Sequence, residues 1–360
     1  MRKQTFQDDA MTKPIPQDFT PRRALICQQR QIGDVILATP LIRMLKDRYP
    51  AVEIDFFTEA KCADVLKDNP DISRLWVVDK SLSPWGALAF YLNMRRRSYD
   101  LVVNCQQLPR CKTVTFFSGA RYRLAHTPKW YNSFLYTHTA PIFGGYAAKV
   151  KACALSPLGL EWKGERPYVH VPEEKRAWAD AWLREQGLRD GEKLVTVDTT
   201  HKAVTRRWPA RHYARLFELL AEKRPELRFL LLHGPGEEGQ VREVYDACGR
   251  RDRCLLLPEI LPLDRVAAIQ SRAVLHLGNC SAPRHLALAV GTPTFTFIGA
   301  NYGPSWTYPG PDQNFAALTL DCSRCNKDVC PKGTMQCLNE LTPELVLPQL
   351  LAQLPEEPPA

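Results

Sequence analysis

Several absences narrow the field before any motif is read. No apolar run in the 360 residues approaches the roughly 20 needed to cross a bilayer. The opening "MRKQTFQDDAMTKPIPQDFTPRR" has no apolar core of a secretory leader. Neither a Walker-type G-x-x-x-x-G-K-[ST] nor a G-x-G-x-x-G fingerprint occurs, which argues against a kinase, an NTPase or a dinucleotide dehydrogenase. No RNP-type segment, zinc finger or long basic helix points to nucleic acid, so none is expected as a partner. A cytoplasmic globular protein is the expectation, with residues 1–22 as a disordered tail.

What is present fits that class. The net charge is +9, from 48 Lys and Arg against 39 Asp and Glu, with short basic clusters at Arg95–Arg97, Arg121/Arg123 and Arg206/Arg207. Such a balance by itself suits nucleic acid, an anionic membrane surface or a phosphorylated substrate, without choosing between them. Twelve cysteines in a cytoplasmic chain read as thiols, eight of them scattered core residues. The other four bunch as Cys322-x2-Cys325-x4-Cys330-x6-Cys337. Zinc, disulfides and free thiols all remain open for that group, since only the first pair has the usual zinc spacing.

Strand-like and helix-like segments alternate twice along the chain. "RALICQQR", "VEIDFFTE", "RLWVVD" and "DLVVNCQ" read as strands of a first half, with Ile54 and Phe56 on one face of the second. "KLVTVDT", "RFLLLHG", "CLLLP", "AVLHLG" and "TFTFIG" read as strands of another, with helices between them. Two parallel α/β halves follow, joined near the polar, proline-bearing stretch 161–172. The expected domains are 23–165 and 166–345, the latter including a Cys-rich segment 321–338, with a helix and tail over 346–360.

Ligands of open α/β sheets bind where strands end, so the loops leaving strands hold the candidates. "GNCSAPRH" opens a helix whose first N–H groups form an anion site, with Ser281 and His285 as added donors; an ordinary capped helix reads the same way. "TTHKAVTRRW" offers the hydroxyls of Thr199 and Thr200 and the cations Lys202, Arg206 and Arg207, a set suited to phosphate oxygens. In "QIGDV", Asp34 stands where a strand gives way to a helix, open to service as a general base or as a plain N-terminal cap.

In this order, "QIGDVILATPLIRMLKDRYP", "YDLVVNCQ", "RRWPARHYARL", "GNCSAPRHLALAVGTPTFTFIG" and "CSRCNKDVCPKGTMQCLNELTPELVL" resemble the bacterial heptosyltransferases of glycosyltransferase family 9. The resemblance implies a GT-B fold, two Rossmann-like domains facing a central cleft. It further implies inverting, metal-independent transfer of a sugar from a nucleotide donor, usually ADP-heptose, to a lipopolysaccharide inner-core acceptor. No catalytic cofactor is expected, and a structural zinc on Cys322, Cys325, Cys330 and Cys337 is one reading of the cluster. The setting would be cytoplasmic, at the inner-membrane face. Asp34 matches the family's base. Thr199, Thr200, His201, Lys202, Arg206, Asn279, Cys280, Ser281 and His285 fall to the donor, and Gly33, Arg110, Arg121 and Arg123 to the acceptor.

Three positions depart from the family pattern. Cys280 replaces an aspartate that usually contacts the transferred sugar, and Ala282 replaces a glycine. A thiol cannot reproduce a carboxylate's paired acceptors, so a different sugar, a substitute contact from His201 or Asn279, and a non-catalytic sugar-nucleotide binder all stay open. Arg206 stands where the family has lysine, keeping the charge and changing its geometry.

Overall fold

A computed structural model describes residues 15–79 and 81–355. The chain forms two compact units. Among the described residues, unit 1 takes in 15–63, 70–144 and 148–165, and unit 2 takes in 64–69, 145–147 and 166–355.

Unit 1 is built on strands β1 (Arg23–Cys27), β2 (Glu53–Glu59), β3 (Ile72–Val78), β4 (Leu101–Asn104), β5 (Tyr122–His126) and β6 (His138–Ala140). All pair in parallel, in the order β3-β2-β1-β4-β5-β6. Helices on both faces explain why β1 and β4 are near-continuous apolar runs. They also explain why β2 is buried at every residue after Glu53, although its text alternates. The inward Asp55 of that strand is satisfied by Tyr99 Oη at 2.5 Å, Trp76 Nε1 at 3.2 Å and the Arg97 guanidinium at 3.1 Å.

Unit 2 repeats the plan with β7 (Lys193–Asp198), β8 (Leu227–Leu232), β9 (Cys254–Leu256), β10 (Leu275–Gly278), β11 (Thr294–Phe297) and β12 (Gln313–Ala316). The order is β12-β11-β10-β7-β8-β9, again parallel throughout. The helix Ala210–Lys223 buries Tyr213, Leu216, Phe217 and Leu220, the i, i+3, i+4, i+7 stripe of a core-facing helix. Phe217 stacks on Phe229 at 4.5 Å and Trp208 on Phe297 at 3.9 Å between ring centroids. The C-terminal helix Pro343–Gln353, capped by Thr342, packs on that same helix.

Both sheets reverse their strand order in the middle, between β1 and β4 and between β7 and β10. Loops leaving the carboxyl ends of such neighbours diverge and leave a crevice, which is where α/β sheets take ligands. The loops so placed are 28–34 in unit 1, and 199–208 and 279–285 in unit 2.

Parts of the chain differ from their linear reading. Residues 1–14 of the expected tail lie outside the described residues, as do 356–360 of the expected C-terminal tail. From Ile15 onward the chain is packed: Ile15 is buried and its N–H donates to Pro157 O at 3.3 Å, and Phe19 meets Tyr122 edge-on at 4.5 Å. The strands β6 and β12 hold three and four residues, too few for a period to show.

Candidate active site

In unit 1, Asp34 lies in the first turn of the short helix Ile32–Ile36, just past the carboxyl end of β1. Its Oδ1 is 2.9 Å from the ammonium of Lys151, a side chain only 10% exposed. Lys151 also donates to Gln28 Oε1 at 3.1 Å, so one buried cation ties the β1 loop to the helix Ala147–Ala152. Fixing Oδ1 leaves Oδ2 as the free acceptor of a carboxylate that is itself about one-third exposed. Gly33 precedes it in the same turn, its carbonyl accepting from Leu37 N at 2.9 Å.

The three arginines read as acceptor residues do not come together. Arg110 is the second residue of the helix Pro109–Phe117, which follows the carboxyl end of β4 and so shares an edge with Asp34. Arg121 and Arg123 stand at the start of β5, the opposite edge of the same parallel sheet. Arg123 is committed there to the backbone carbonyls of Leu135 and Ala120, at 2.7 and 2.9 Å.

In unit 2 the loops after β7, β8 and β10 are wired to one another through acids. Asp198, the last residue of β7, accepts from Thr200 N at 3.1 Å, from Thr200 Oγ1 at 3.0 Å and from Ser281 Oγ. Thr200 Oγ1 also lies 2.8 Å from Glu237, whose carboxylate takes Gly234 N at 2.9 Å. A hydroxyl has one proton, so one of the two acids must supply the other. Burial, with a smaller push from Glu237, raises Asp198 to about 6, against the hydrogen bonds from Ser281 and Thr200 that lower it. Gly278 permits the close approach: a Cβ there would sit 2.5 Å from the Asp198 carbonyl oxygen.

The candidates divide into wired and open groups. Asn279 is tied into the fold, taking Trp208 N at 2.9 Å and Tyr213 Oη at 3.1 Å and giving to Thr200 O at 3.1 Å. His201 is held by Ala203 N donating to Nδ1 at 2.9 Å; burial first, then Arg206, lowers its affinity for a second proton. Thr199 Oγ1 is buried without a hydrogen-bond partner, and Lys202 is exposed. Ser281 occupies the N-cap position of the helix Ala282–Ala289, yet its hydroxyl goes to Asp198 and makes no capping bond. The first N–H groups of that helix are thus left without a side-chain cap, and can receive an anion. His285 is buried in the same helix, its ring 6.1 Å from that of Trp306.

Cys280 and its neighbour hold a feature the linear text hides. Arg284 is 2% exposed, and its guanidinium donates to Cys280 Sγ at 3.7 Å and to Thr307 Oγ1 at 2.7 Å. A buried guanidinium with a thiol and a hydroxyl for acceptors has no formal counter-charge in these bonds. Nothing in the order of residues marks it, nor Asp198, Glu237 or Lys151; each becomes visible only when distant strands are set side by side.

A family model described as glycosyltransferase family 9 (heptosyltransferase) matches residues 87–336. The chain belongs to glycosyltransferase family 9. Among curated relatives, lipopolysaccharide heptosyltransferase 3 of Escherichia coli is 25% identical over 287 residues, 76% of this chain and 82% of its own length. A family 9 glycosyltransferase structure from Veillonella parvula superposes with TM-score 0.78 at 20% identity, covering 95% of this chain and 99% of its own. An E. coli heptosyltransferase solved with ADP-2-deoxy-2-fluoro heptose gives 0.67 at 20% identity, covering 92% and 99%. This family 9 enzyme is therefore a glycosyltransferase, with the two-sheet α/β architecture of those structures.

The enzyme's Cys-rich segment braces the loop after β7. Thr205 Oγ1 donates to Lys327 O at 2.6 Å, Arg206 Nη2 to Asn326 Oδ1 at 2.8 Å, and Asn326 N to Ala300 O at 2.9 Å. Cys322, Cys325, Cys330 and Cys337 line one cavity of about 120 Å³ with Thr205 and Ala300, and all four are free thiols. Burial first, and then the other three cysteines, raises the Cys337 thiol above its ordinary range. Even so, among the described residues no group of three or more His, Cys, Asp or Glu is arranged to hold a metal ion, so a zinc centre is not shown.

Proposed function

We propose that this enzyme transfers a heptose from ADP-heptose to a lipopolysaccharide inner-core acceptor at the cytoplasmic membrane face, with inversion at the anomeric carbon. The donor nucleotide falls to unit 2 and the acceptor to unit 1. One observation carries the assignment of the base: Asp34 is the carboxylate at the unit 1 switch point, with Oδ1 pinned by Lys151 and Oδ2 free. In this reading Oδ2 accepts the proton of the acceptor hydroxyl as that oxygen attacks the anomeric carbon. The sugar–phosphate bond breaks on the opposite face, and ADP leaves with developing negative charge.

Unit 2 supplies the matching electrostatics. The uncapped N–H groups of the helix Ala282–Ala289 and the cations Lys202 and Arg207 are the donors available to a diphosphate, with the charge of the buried Arg284 behind them. Asp198 and Asn279 act one step back, holding Ser281, Thr200 and Trp208 where they are. The Cys-rich segment has a positioning role here, through Asn326 on Arg206.

A second reading keeps the reaction and changes the sugar. It is favoured by Cys280, 9% exposed, where the family pattern has an acid. Titration calorimetry with ADP, UDP, GDP and TDP, followed by ADP-heptose, separates the two. Selective ADP binding strengthened by the heptose is the expected result, with the product's anomeric configuration opposite to the donor's by NMR. Preference for another nucleotide removes ADP-heptose, and no binding by any nucleotide removes the transfer reading.

A further inference from the structure

The charge and the exposed apolar surface of this chain share one address. Residues 81–160 contain ten Lys and Arg and a single acid, Asp100, while the rest of the chain carries 38 of each sign. The entire net charge of +9 therefore lies in that stretch. The same stretch holds ten of the seventeen large apolar side chains that are exposed among the described residues.

Their placement is specific. The helix Pro84–Arg95 packs Phe90, Tyr91 and Met94 against the unit 1 core, as a surface helix should. Its outer face is apolar as well: Trp85, Leu88 and Leu92, at i, i+3 and i+7, are 80%, 37% and 44% exposed. The helix Pro109–Phe117 packs beside it and against the turn Trp130–Leu135. These add Phe116, Trp130 and Phe134, each at least 60% exposed. All three elements connect strands running from β3 to β4, β5 and β6, so right-handed crossover puts them on one face of the sheet.

Most cations on this face lack a carboxylate partner. Arg97 of the same run is bound inward to Asp55 and Glu53. Arg95, Arg96, Arg110, Lys112 and Lys129 have no carboxylate partner among the described residues, and no acid occurs in 81–99 or 101–160. Trp and Leu flanked by Arg and Lys, with no acid among them, is the composition of a surface that sits in a bilayer's headgroup region. A second copy of the chain would oppose these cations to their own kind, whereas anionic headgroups supply the missing counter-charge. No helix among the described residues is long and apolar enough to cross the membrane, so contact would be from one side.

We propose that this face of unit 1 docks on a bilayer carrying anionic headgroups, with the Trp85–Leu88–Leu92 stripe inserted and the cations around it on phosphates. The proposal rests on the reading that the acceptor is lipid-borne. Trp85, Arg110, Lys112 and Lys129 lie near the carboxyl edge of the unit 1 sheet, the edge that carries Asp34, which would bring a membrane-anchored acceptor to the base.

The test sediments the full chain with vesicles, without acceptor present. Vesicles of equal phosphatidylglycerol and phosphatidylcholine should bind it at least about tenfold better than phosphatidylcholine alone, with binding falling as salt rises. A Trp85→Glu/Leu88→Glu double variant should lose about tenfold or more of that partitioning. Its ADP affinity and its turnover of a delipidated, water-soluble acceptor should match the unaltered chain, which also certifies its folding. Absence of vesicle binding, or unchanged binding by the double variant, overturns the proposal. So does a dimer that the double variant dissolves, which gives the face to a second copy, or competition by RNA with no lipid preference. Vesicle binding without any sugar transfer would leave the docking surface standing and remove the transferase reading; transfer without vesicle binding would do the reverse.

Discussion

The two units share one sheet plan and both bury polar groups at the strand ends, with Gln28, Glu59 and Asn104 of unit 1 at most 2% exposed; they differ in what they turn outward. Unit 2 folds its polar groups inward at the strand ends: Asp198, Thr199, Thr200, Asn279, Arg284 and His285 are all at most 5% exposed. Unit 1 has the concentration of outward apolar side chains and, in 81–160, the whole net charge. A pre-wired interior suits a small ligand whose groups must be met at fixed distances. An outward apolar face ringed by cations suits a large surface met without fixed register. On this account the difference between the units mirrors the difference between the donor, a soluble nucleotide sugar, and the acceptor, a lipid.

The largest effect should come from breaking the wiring of unit 2 at its root. Trp208 is 1% exposed, stacks on Phe297, gives Nε1 to Leu341 O at 2.8 Å, and has its backbone N–H on Asn279. Trp208→Ala should lower stability by about 3–5 kcal/mol in chemical denaturation. Hydrogen exchange should show protection lost in β7, β10 and the loop 199–208, with the β1–β4 core of unit 1 retained. Equal loss in both sheets would mean that the two cores are not separable in this way.

A smaller, pH-dependent effect belongs to Asp198. Its folded value of about 6 lies above the roughly 4 of a free aspartate. Folding therefore favours the protonated form, so its contribution is fully present below about pH 4 and is lost as pH rises through 6. Asp198→Asn cannot ionise, and relative to it the native chain should lose about 2–3 kcal/mol between pH 4 and pH 7. A pH-independent difference between the two proteins would show that Asp198 titrates normally.

How much of this could be read beforehand varies with the kind of signal. The alternation of apolar runs with helical spacing marked both parallel sheets, and the loops of interest followed from one rule about strand ends. The place of Asp34 at a strand-to-helix junction was legible as a local pattern, while its reading as a base came from the family resemblance and not from the Gly-Asp pair itself. Asp198 was not: in "KLVTVDT" it reads as the tail of a strand, and its partner Ser281 lies 83 residues away. Lys151, in "AAKVKACAL", looks like one more helical surface lysine until its 10% exposed ammonium is seen on Asp34. Arg121 and Arg123 show the converse, since proximity in sequence to an aromatic segment said nothing of which sheet edge they occupy. Strand pairing decides that, and strand pairing is not local.

The central claim is a division of labour, with the base on one unit and nucleotide binding on the other. Measuring donor affinity and turnover together in Asp34→Asn tests it most directly. The account predicts ADP affinity within about twofold of the unaltered chain and turnover reduced by about 10²–10⁴-fold. Normal turnover would contradict the assignment of Asp34 as the base, and a matching loss of ADP affinity would contradict the division itself.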